Sequence, residues 1–338
     1  LHQHMATVPI PLRTPFTDLV GCDVPIQLAG MGWVSGLDLA DAVSAAGALG
    51  MVGYPMVPPQ VLGELLDAVR RRTSRPVGVN FILPLLEDEA CVDVAAERMP
   101  VVEFFYADPV PRLVTRAKRG GALAAWQVGS VGEARAAADA GCDFVVVQGR
   151  EAGGHVRGVR PLLPLLDEVL DAVDVPVVAA GGIGSARSLA AVLAAGAGAA
   201  RIGTRFVATH ESDAHPDYKD ALVRAGAGDT ELTTQFSTGW PDAPHRVLSG
   251  CIERARALDT DIAGEAVLGG VPVPVPASSP VCPIRTTTGH LDAMALYAGE
   301  AVGTVSRIES ALDIVRELAD GAARLLCKAS GGIGKEPA

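Results

Sequence analysis

Three short stretches of this chain hold the residues best able to do chemistry. His155 stands in Gln148-Gly149-Arg150-Glu151-Ala152-Gly153-Gly154-His155, directly after the apolar run Phe144 to Val147. Flanked by glycines and by Arg150, Glu151 and Arg157, it is badly placed for a packed core and well placed to hydrogen-bond a ligand. As an ordinary surface-loop histidine it would need no function. The other stretches, Ala180-Gly181-Gly182-Ile183 and Ile202-Gly203-Thr204-Arg205, put glycine just past an apolar run. Backbone free of side chains can approach an anion there and donate N–H bonds, so two such turns at neighbouring strand ends predict a phosphate cradle beside His155. Either glycine pair alone would read as a tight strand-to-helix turn.

Bringing those stretches together requires a scaffold that gathers successive strand ends. Short apolar runs alternate with alanine-rich amphipathic segments as far as Phe206, the pattern of parallel strands with helical crossovers. Eight strand candidates can be counted: Pro25 to Ala29, Gly50 to Gly53, Val77 to Leu83, Val101 to Tyr106, Ala122 to Gln127, Phe144 to Gln148, Val177 to Ala180 and Ala199 to Ile202. Helix candidates include Leu37 to Ala46, Pro58 to Arg71, Val131 to Ala140 and Ala186 to Ala195, the last two opened by the N-cap residues Ser130 and Ser185. Eight such units favour an α/β fold closed into a (β/α)8 barrel; an open doubly wound sheet is the alternative, since periodicity does not reveal closure. After the barrel core, 5–209, the rhythm changes. A mainly helical cap with a connecting segment is expected over 210–304, including a Pro-rich connection from Val271 to Pro283. A C-terminal helix packing back on the barrel is expected over 305–330, and Gly331 to Gly334 read as a loose tail.

Composition narrows the function classes. At 338 residues with 49% hydrophobic and only 4% aromatic residues, one main domain with an appendage is expected. The net charge of −11 argues against nucleic acid or an anionic membrane as partner and favours a small-molecule substrate. Six cysteines without a CxxC pair read as reduced, mostly buried thiols of a cytoplasmic protein. No apolar run reaches the roughly 18 to 20 residues of a membrane span. The four residues before Met5 have no secretory character and read as a remnant of expression. His210, Glu211, Asp213 and His215 lack HExxH spacing, so no metal site is expected. Without a GxSxG elbow or a cysteine in a glycine loop beside a histidine, covalent hydrolase chemistry is disfavoured.

Several motifs together carry a family resemblance. Pro25-Ile26-Gln27-Leu28-Ala29-Gly30-Met31, Gly78-Val79-Asn80, Gln127-Val128-Gly129, the Gln148 to His155 stretch, Ala180-Gly181-Gly182-Ile183 and Ile202-Gly203-Thr204-Arg205-Phe206 resemble the nitronate monooxygenase (2-nitropropane dioxygenase) family over most of the chain. Tyr297-Ala298-Gly299-Glu300-Ala301-Val302-Gly303 resembles a further family segment, in which Gln is usual where Glu300 stands. The resemblance implies a TIM barrel holding non-covalent FMN, its phosphate on Gly182, Gly203 and Thr204 beside Gly181, and its ring near Ala29, Gly30 and Met31. It further implies that Asn80, Gln127, Gln148 and Gly149 hydrogen-bond the ring or ribityl chain, with Gly153 and Gly154 alongside, and that His155 is the catalytic residue, stabilising the oxygens of a nitronate. The implied reaction oxidises propionate-3-nitronate or alkyl nitronates with O2 to a carbonyl compound and nitrite.

The same superfamily contains FMN-dependent enoyl-acyl-carrier-protein reductases, so an NAD(P)H-dependent reductase of acyl thioesters, with His155 as polariser or proton relay, is the alternative. A flavin-binding barrel without catalysis ranks third. The sequence is compatible with a homodimer. In Gly239 to Arg246, Trp240 reads either as an aromatic lid or as core of the cap, and Arg246 as a salt-bridge residue or an anion contact.

Overall fold

A computed structural model describes residues 12–268 and 270–332. Its parallel strands are β1 (Ile26–Leu28), β2 (Gly50–Val52), β3 (Val77–Ile82), β4 (Val101–Phe105), β5 (Leu123–Val128), β6 (Phe144–Gln148), β8 (Val177–Ala180) and β9 (Ala199–Ile202), with the two-residue β7 (Gly154–His155) lying outside their sheet. Buried on both faces, they read in sequence as apolar runs rather than alternations, which is why all eight were legible. The order is β1-β9-β8-β6-β5-β4-β3-β2. A parallel bridge between Gln27 and Leu49 joins the ends: Leu28 N donates to Leu49 O, and Leu49 N to Ile26 O, both at 2.9 Å. The sheet is therefore a (β/α)8 barrel, not an open doubly wound sheet.

Helices α2 (Leu37–Ala45), α3 (Pro59–Arg72), α4 (Ala90–Ala96), α5 (Pro111–Arg119), α6 (Val131–Asp139), α7 (Leu162–Leu170) and α8 (Ala186–Ala194) sheathe it, and α1 (Pro15–Val20) sets Phe16 edge-on against Phe144. The expected serine caps are present: Ser130 accepts from Glu133 N and Ser185 from Ser188 N, both at 3.2 Å. Past α9 (Thr204–Val207) the chain leaves the barrel. It returns as α12 (Ala311–Gly332), which packs on α8 and α2 and so fills the outer-ring place that follows β9. The cap is thus an insertion between the last barrel strand and its helix.

That cap is less helical than expected. Besides α10 (Pro216–Arg224) and α11 (Ser249–Ala257) it contains β10 (Thr230–Thr233), β11 (His245–Leu248), β12 (Ile262–Leu268), β13 (Val271–Pro276) and β14 (Thr288–Gly289), in the sheets β10-β11-β7 and β13-β12-β14. The stretch read as a Pro-rich connection includes an edge strand, where prolines at alternate positions are tolerated because only one side of the strand must supply N–H donors. Two boundaries also differ at the C-terminus. α12 starts at Ala311 because Ser310 Oγ caps it, accepting from Asp313 N at 3.1 Å, while the Glu211 carboxylate accepts from Ala311 N. Gly331 and Gly332 extend that helix instead of starting a tail, while Ile333 and Gly334, like the expected start at Met5, lie outside the described residues.

Inside the barrel sits a charged group that the apolar pattern conceals. Glu103, in mid-β4, is fully buried; its Oε1 is paired with Arg201 of β9 and accepts from Asn80 Nδ2 at 2.8 Å, and its Oε2 accepts from Gln27 Nε2 at 2.8 Å. Removing one partner of a buried ion pair leaves the other charge uncompensated, at a cost of about 3–5 kcal/mol, whereas replacing both by apolar groups of similar volume is often neutral. Glu103→Leu should therefore lower unfolding stability by about that amount in denaturant titration, and the double variant Glu103→Leu/Arg201→Met should regain most of it.

Candidate functional site

Beyond β6 the loop is shaped by its own polar groups. Gly149 N donates to Ala180 O at 2.9 Å, and the Glu151 carboxylate accepts from Leu162 N at 3.0 and 3.1 Å, capping α7. Arg157 is held by Glu133 at 2.8 Å and by Asp108. His155 itself lies in β7, antiparallel to β11 and opposite His245, so it is a strand residue rather than a free-loop one. Gln148 fixes it there: its Nε2 donates to the His155 carbonyl at 2.9 Å and its Oε1 accepts from Arg157 N at 3.3 Å.

Aromatic rings surround the imidazole. Trp240 stacks on it with ring centres 4.0 Å apart at 20°, Tyr106 meets it edge-on at 5.7 Å, and His245 and Tyr297 stand at 5.2 and 5.6 Å. Of the two roles open to Trp240, the lid over the histidine is the one its position fits. Burial, and then the neighbouring His245, pushes the His155 pKa from 6.5 to about 3, so the ring is neutral near pH 7. Its Nε2 is buried without a hydrogen-bond partner.

A cavity of about 340 Å³ brings together Ala29, Gly30, Met31, Gln127, Gln148, Gly153, Gly154, His155, Gly181, Gly182, Gly203 and Thr204. Two residues expected with them do not line it. Asn80 packs beneath Gly30 and gives its amide to Glu103, and Gly149 is wedged against Leu162 with its N–H already used. Gln148 lines the cavity, but its amide is spent on the loop. Gln127 Oε1, by contrast, is buried with no partner. Gly181 and Gly182 have φ values of 109° and 69°, a backbone that glycine adopts without strain. Among the described residues the N–H groups of Gly182, Gly203 and Thr204 have no backbone acceptor.

The segment after Tyr297 presses directly on the histidine loop. A Cβ on Gly299 would stand 2.6 Å from Gly153 N; Gly299 N donates to Thr204 Oγ1 and Glu300 N to Glu151 O, both at 3.0 Å. Glu300 faces Arg246 at 3.6 Å, and Arg246 Nη2 donates to Arg150 O at 3.0 Å, so Arg246 ties the cap to the loop. The polar segment beginning at His210 is structural in the same way: Glu211 caps α12, and His215 Nδ1 accepts from Asp217 N. No group of three or more His, Cys, Asp or Glu side chains that could hold a metal occurs among the described residues. Sequence reasoning overlooked Tyr106, His245 and the set Gln27, Glu103 and Arg201. For the last three a signal existed, since each is a lone polar residue interrupting a buried strand.

Comparison with known proteins places this geometry. The family model for nitronate monooxygenase matches residues 13–99 and 86–321. A Rhodococcus jostii protein named 5-hydroxy-7a-methyl-1-oxo-octahydro-1H-indene-4-carboxyl-CoA dehydrogenase is 38% identical over 201 residues, 60% of this chain and 57% of that protein, so the chain spans little more than half of this relative's length. A probable nitronate monooxygenase of Staphylococcus aureus is 29% identical over 62% of this chain and 72% of its own. Among solved structures, FabK from Thermotoga maritima superposes with a TM-score of 0.80 at 31% identity over 95% of this chain and 99% of its own. Nitroalkane oxidase from Streptomyces ansochromogenes gives 0.75 at 31% identity over 95% and 100%. With the family model matched across most of its length, the chain belongs to the nitronate monooxygenase family.

Proposed function

We propose that the chain is an FMN-dependent oxidoreductase that oxidises nitronates with O2 to a carbonyl compound and nitrite. The observation that carries this reading is the unbonded, buried Nε2 of a neutral His155 in the cavity of a chain from this family. When bound, a flavin supplies the electron transfer between substrate and oxygen that no lining side chain provides. The residues present fit such a group: N–H donors of Gly182, Gly203 and Thr204 would hold its phosphate, and the Ala29 to Met31 turn and the orphaned Gln127 Oε1 would face its ring. In the tautomer that protonates Nε2, His155 donates a hydrogen bond to a nitronate oxygen and thereby orients it. Being uncharged, the ring acts as a dipole rather than a counter-ion, and Trp240 keeps water from its face. The six cysteines are all free thiols, in keeping with a reducing cytoplasm.

Reduction of an unsaturated acyl thioester by NAD(P)H is the second reading, favoured by the likeness to FabK and to a relative named for a carboxyl-CoA compound. The two separate on one experiment. Under anaerobic conditions an alkyl nitronate should bleach the visible flavin spectrum, with nitrite released once air is admitted; rapid bleaching by NADH or NADPH with no nitronate response would select the thioester reductase instead. Gly203→Val places its side chain toward Ala29 and Met31, a Cβ there lying 3.3 Å from the Ala29 Cβ. It should release FMN at least about tenfold more readily in dialysis, with unchanged circular dichroism, if the cradle holds phosphate. The depressed His155 pKa also has a pH signature. Its contribution to stability is complete above 6.5 and is lost as pH falls toward about 3, because the unfolded chain then binds a proton that the folded ring refuses. His155→Gln should unfold at lower pH than the parent in acid titration, and no break near 6.5 should arise from this ring in the kcat/KM profile.

A further inference from the structure

The cavity wall is nearly without charge. Among the described residues that line it, the only side chain carrying charge near pH 7 is Arg201, and Arg201 belongs to the barrel floor, paired to the fully buried Glu103. His155 is neutral. Toward the cap the apolar lining is Trp240, Leu268, Val281 and Ile284, joined from barrel loops by Met56 and Leu85. The polar side chains on the cap side are Cys282, Thr238, which donates to Ala277 O at 3.0 Å, and Ser279, whose Oγ accepts from Val281 N at 3.3 Å; none carries a positive charge. Both tyrosines there have committed their hydroxyls: Tyr218 donates to the Tyr297 carbonyl, and Tyr297 donates to Pro280 O at 2.8 Å. A ligand in this chamber therefore meets mostly apolar surface, a few neutral polar groups and no free cation, and a carboxylate brought from water into such surroundings without a cationic partner keeps most of its desolvation cost.

We infer that the chamber between His155 and the cap selects substrates with an uncharged alkyl or alicyclic skeleton and a single anionic group placed at His155, and excludes those that carry a second carboxylate. The inference rests on the nitronate reading above and sharpens it: alkyl nitronates are substrates, and propionate-3-nitronate is a poor one. Chain length adds to affinity because each buried methylene contributes about 0.8 kcal/mol, roughly fourfold in Kd.

Redox-inert carboxylates test this independently of turnover, since a carboxylate presents the same planar pair of anionic oxygens as a nitronate. Monocarboxylates from butanoate to octanoate and the dicarboxylates of equal length would be titrated into the flavin-loaded protein, read by the visible flavin spectrum and tryptophan emission. Monocarboxylate Kd should fall about threefold to fourfold per methylene, and each dicarboxylate should bind at least about tenfold more weakly than its partner. Met56 is 52% exposed at the rim of the cavity, so Met56→Lys can add a cation without disturbing the core, and it should narrow that gap to about threefold or less. Equal affinity for the two series, absence of a length dependence, or no effect of Met56→Lys would each overturn the inference. Turnover separates it from the reading beneath it. Should the binding pattern hold while no nitronate yields nitrite, the nitronate reaction falls and the selectivity of the chamber stands; equal kcat/KM for propionate-3-nitronate and an alkyl nitronate would leave the reaction and remove the selectivity.

Discussion

A carboxylate at the centre of the barrel constrains most of what lies above it. Glu103 takes its partners from β1, β3 and β9, and these strands belong to two groups facing each other across the barrel: β1 with β9, and β3 with β4. The pairing therefore fixes the spacing of opposite walls as well as neutralising a charge. Two consequences reach the cavity floor. Asn80 is turned inward beneath Gly30, where a Cβ would stand 2.5 Å from the Asn80 Cβ, and Arg201 is held two residues before Gly203 with its charge already balanced. A buried pair of this kind contributes little net stability; its value here lies in the fixed positions of the strand ends around it.

Above that floor, His155 is immobilised by hydrogen bonds to its backbone and by stacking of its ring, while Nε2 is left free. Gln148 holds the carbonyl, β11 holds the strand, and Trp240 covers one face. An imidazole in a solvated loop would titrate near neutral pH and spread its hydrogen bonding over water. Desolvation removes both behaviours, leaving an uncharged ring whose Nε2 has no protein partner.

Legibility in the sequence followed how local each cause was. The eight strands could be placed because a parallel strand buried on both faces must be apolar throughout. Both glycine turns could be placed because their requirement lies within the turn itself. Gln148 was located correctly at a strand end, yet its amide serves Arg157 and His155, a use that depends on how the loop doubles back. The enclosure of His155 was less accessible still: Tyr106 follows β4, Trp240 and His245 share one cap segment and Tyr297 stands much further on, so nothing local shows that they meet one ring; and the alternating prolines that make β13 an acceptable edge look like a linker when neighbouring strands are unknown.

Insertion of the cap between β9 and α12 makes the two sides of the cavity depend on different parts of the chain. Arg205, at the start of that insertion, reaches its far side: it donates to the Thr304 carbonyl and pairs with Glu309 at 2.7 Å and with Glu317 of α12 at 3.1 Å. Both ends of the inserted segment are thus tied to the same buried guanidinium, and α12 is tied to the barrel by its packing on α8 and α2. Between those fixed points, residues such as Leu268 and Val281 contribute to the cavity wall but to none of the bonds that place His155 or the glycine turns. Their side chains can differ in size and polarity without disturbing those bonds, whereas β11, Trp240 and Arg246 of the same cap hold the histidine strand in place.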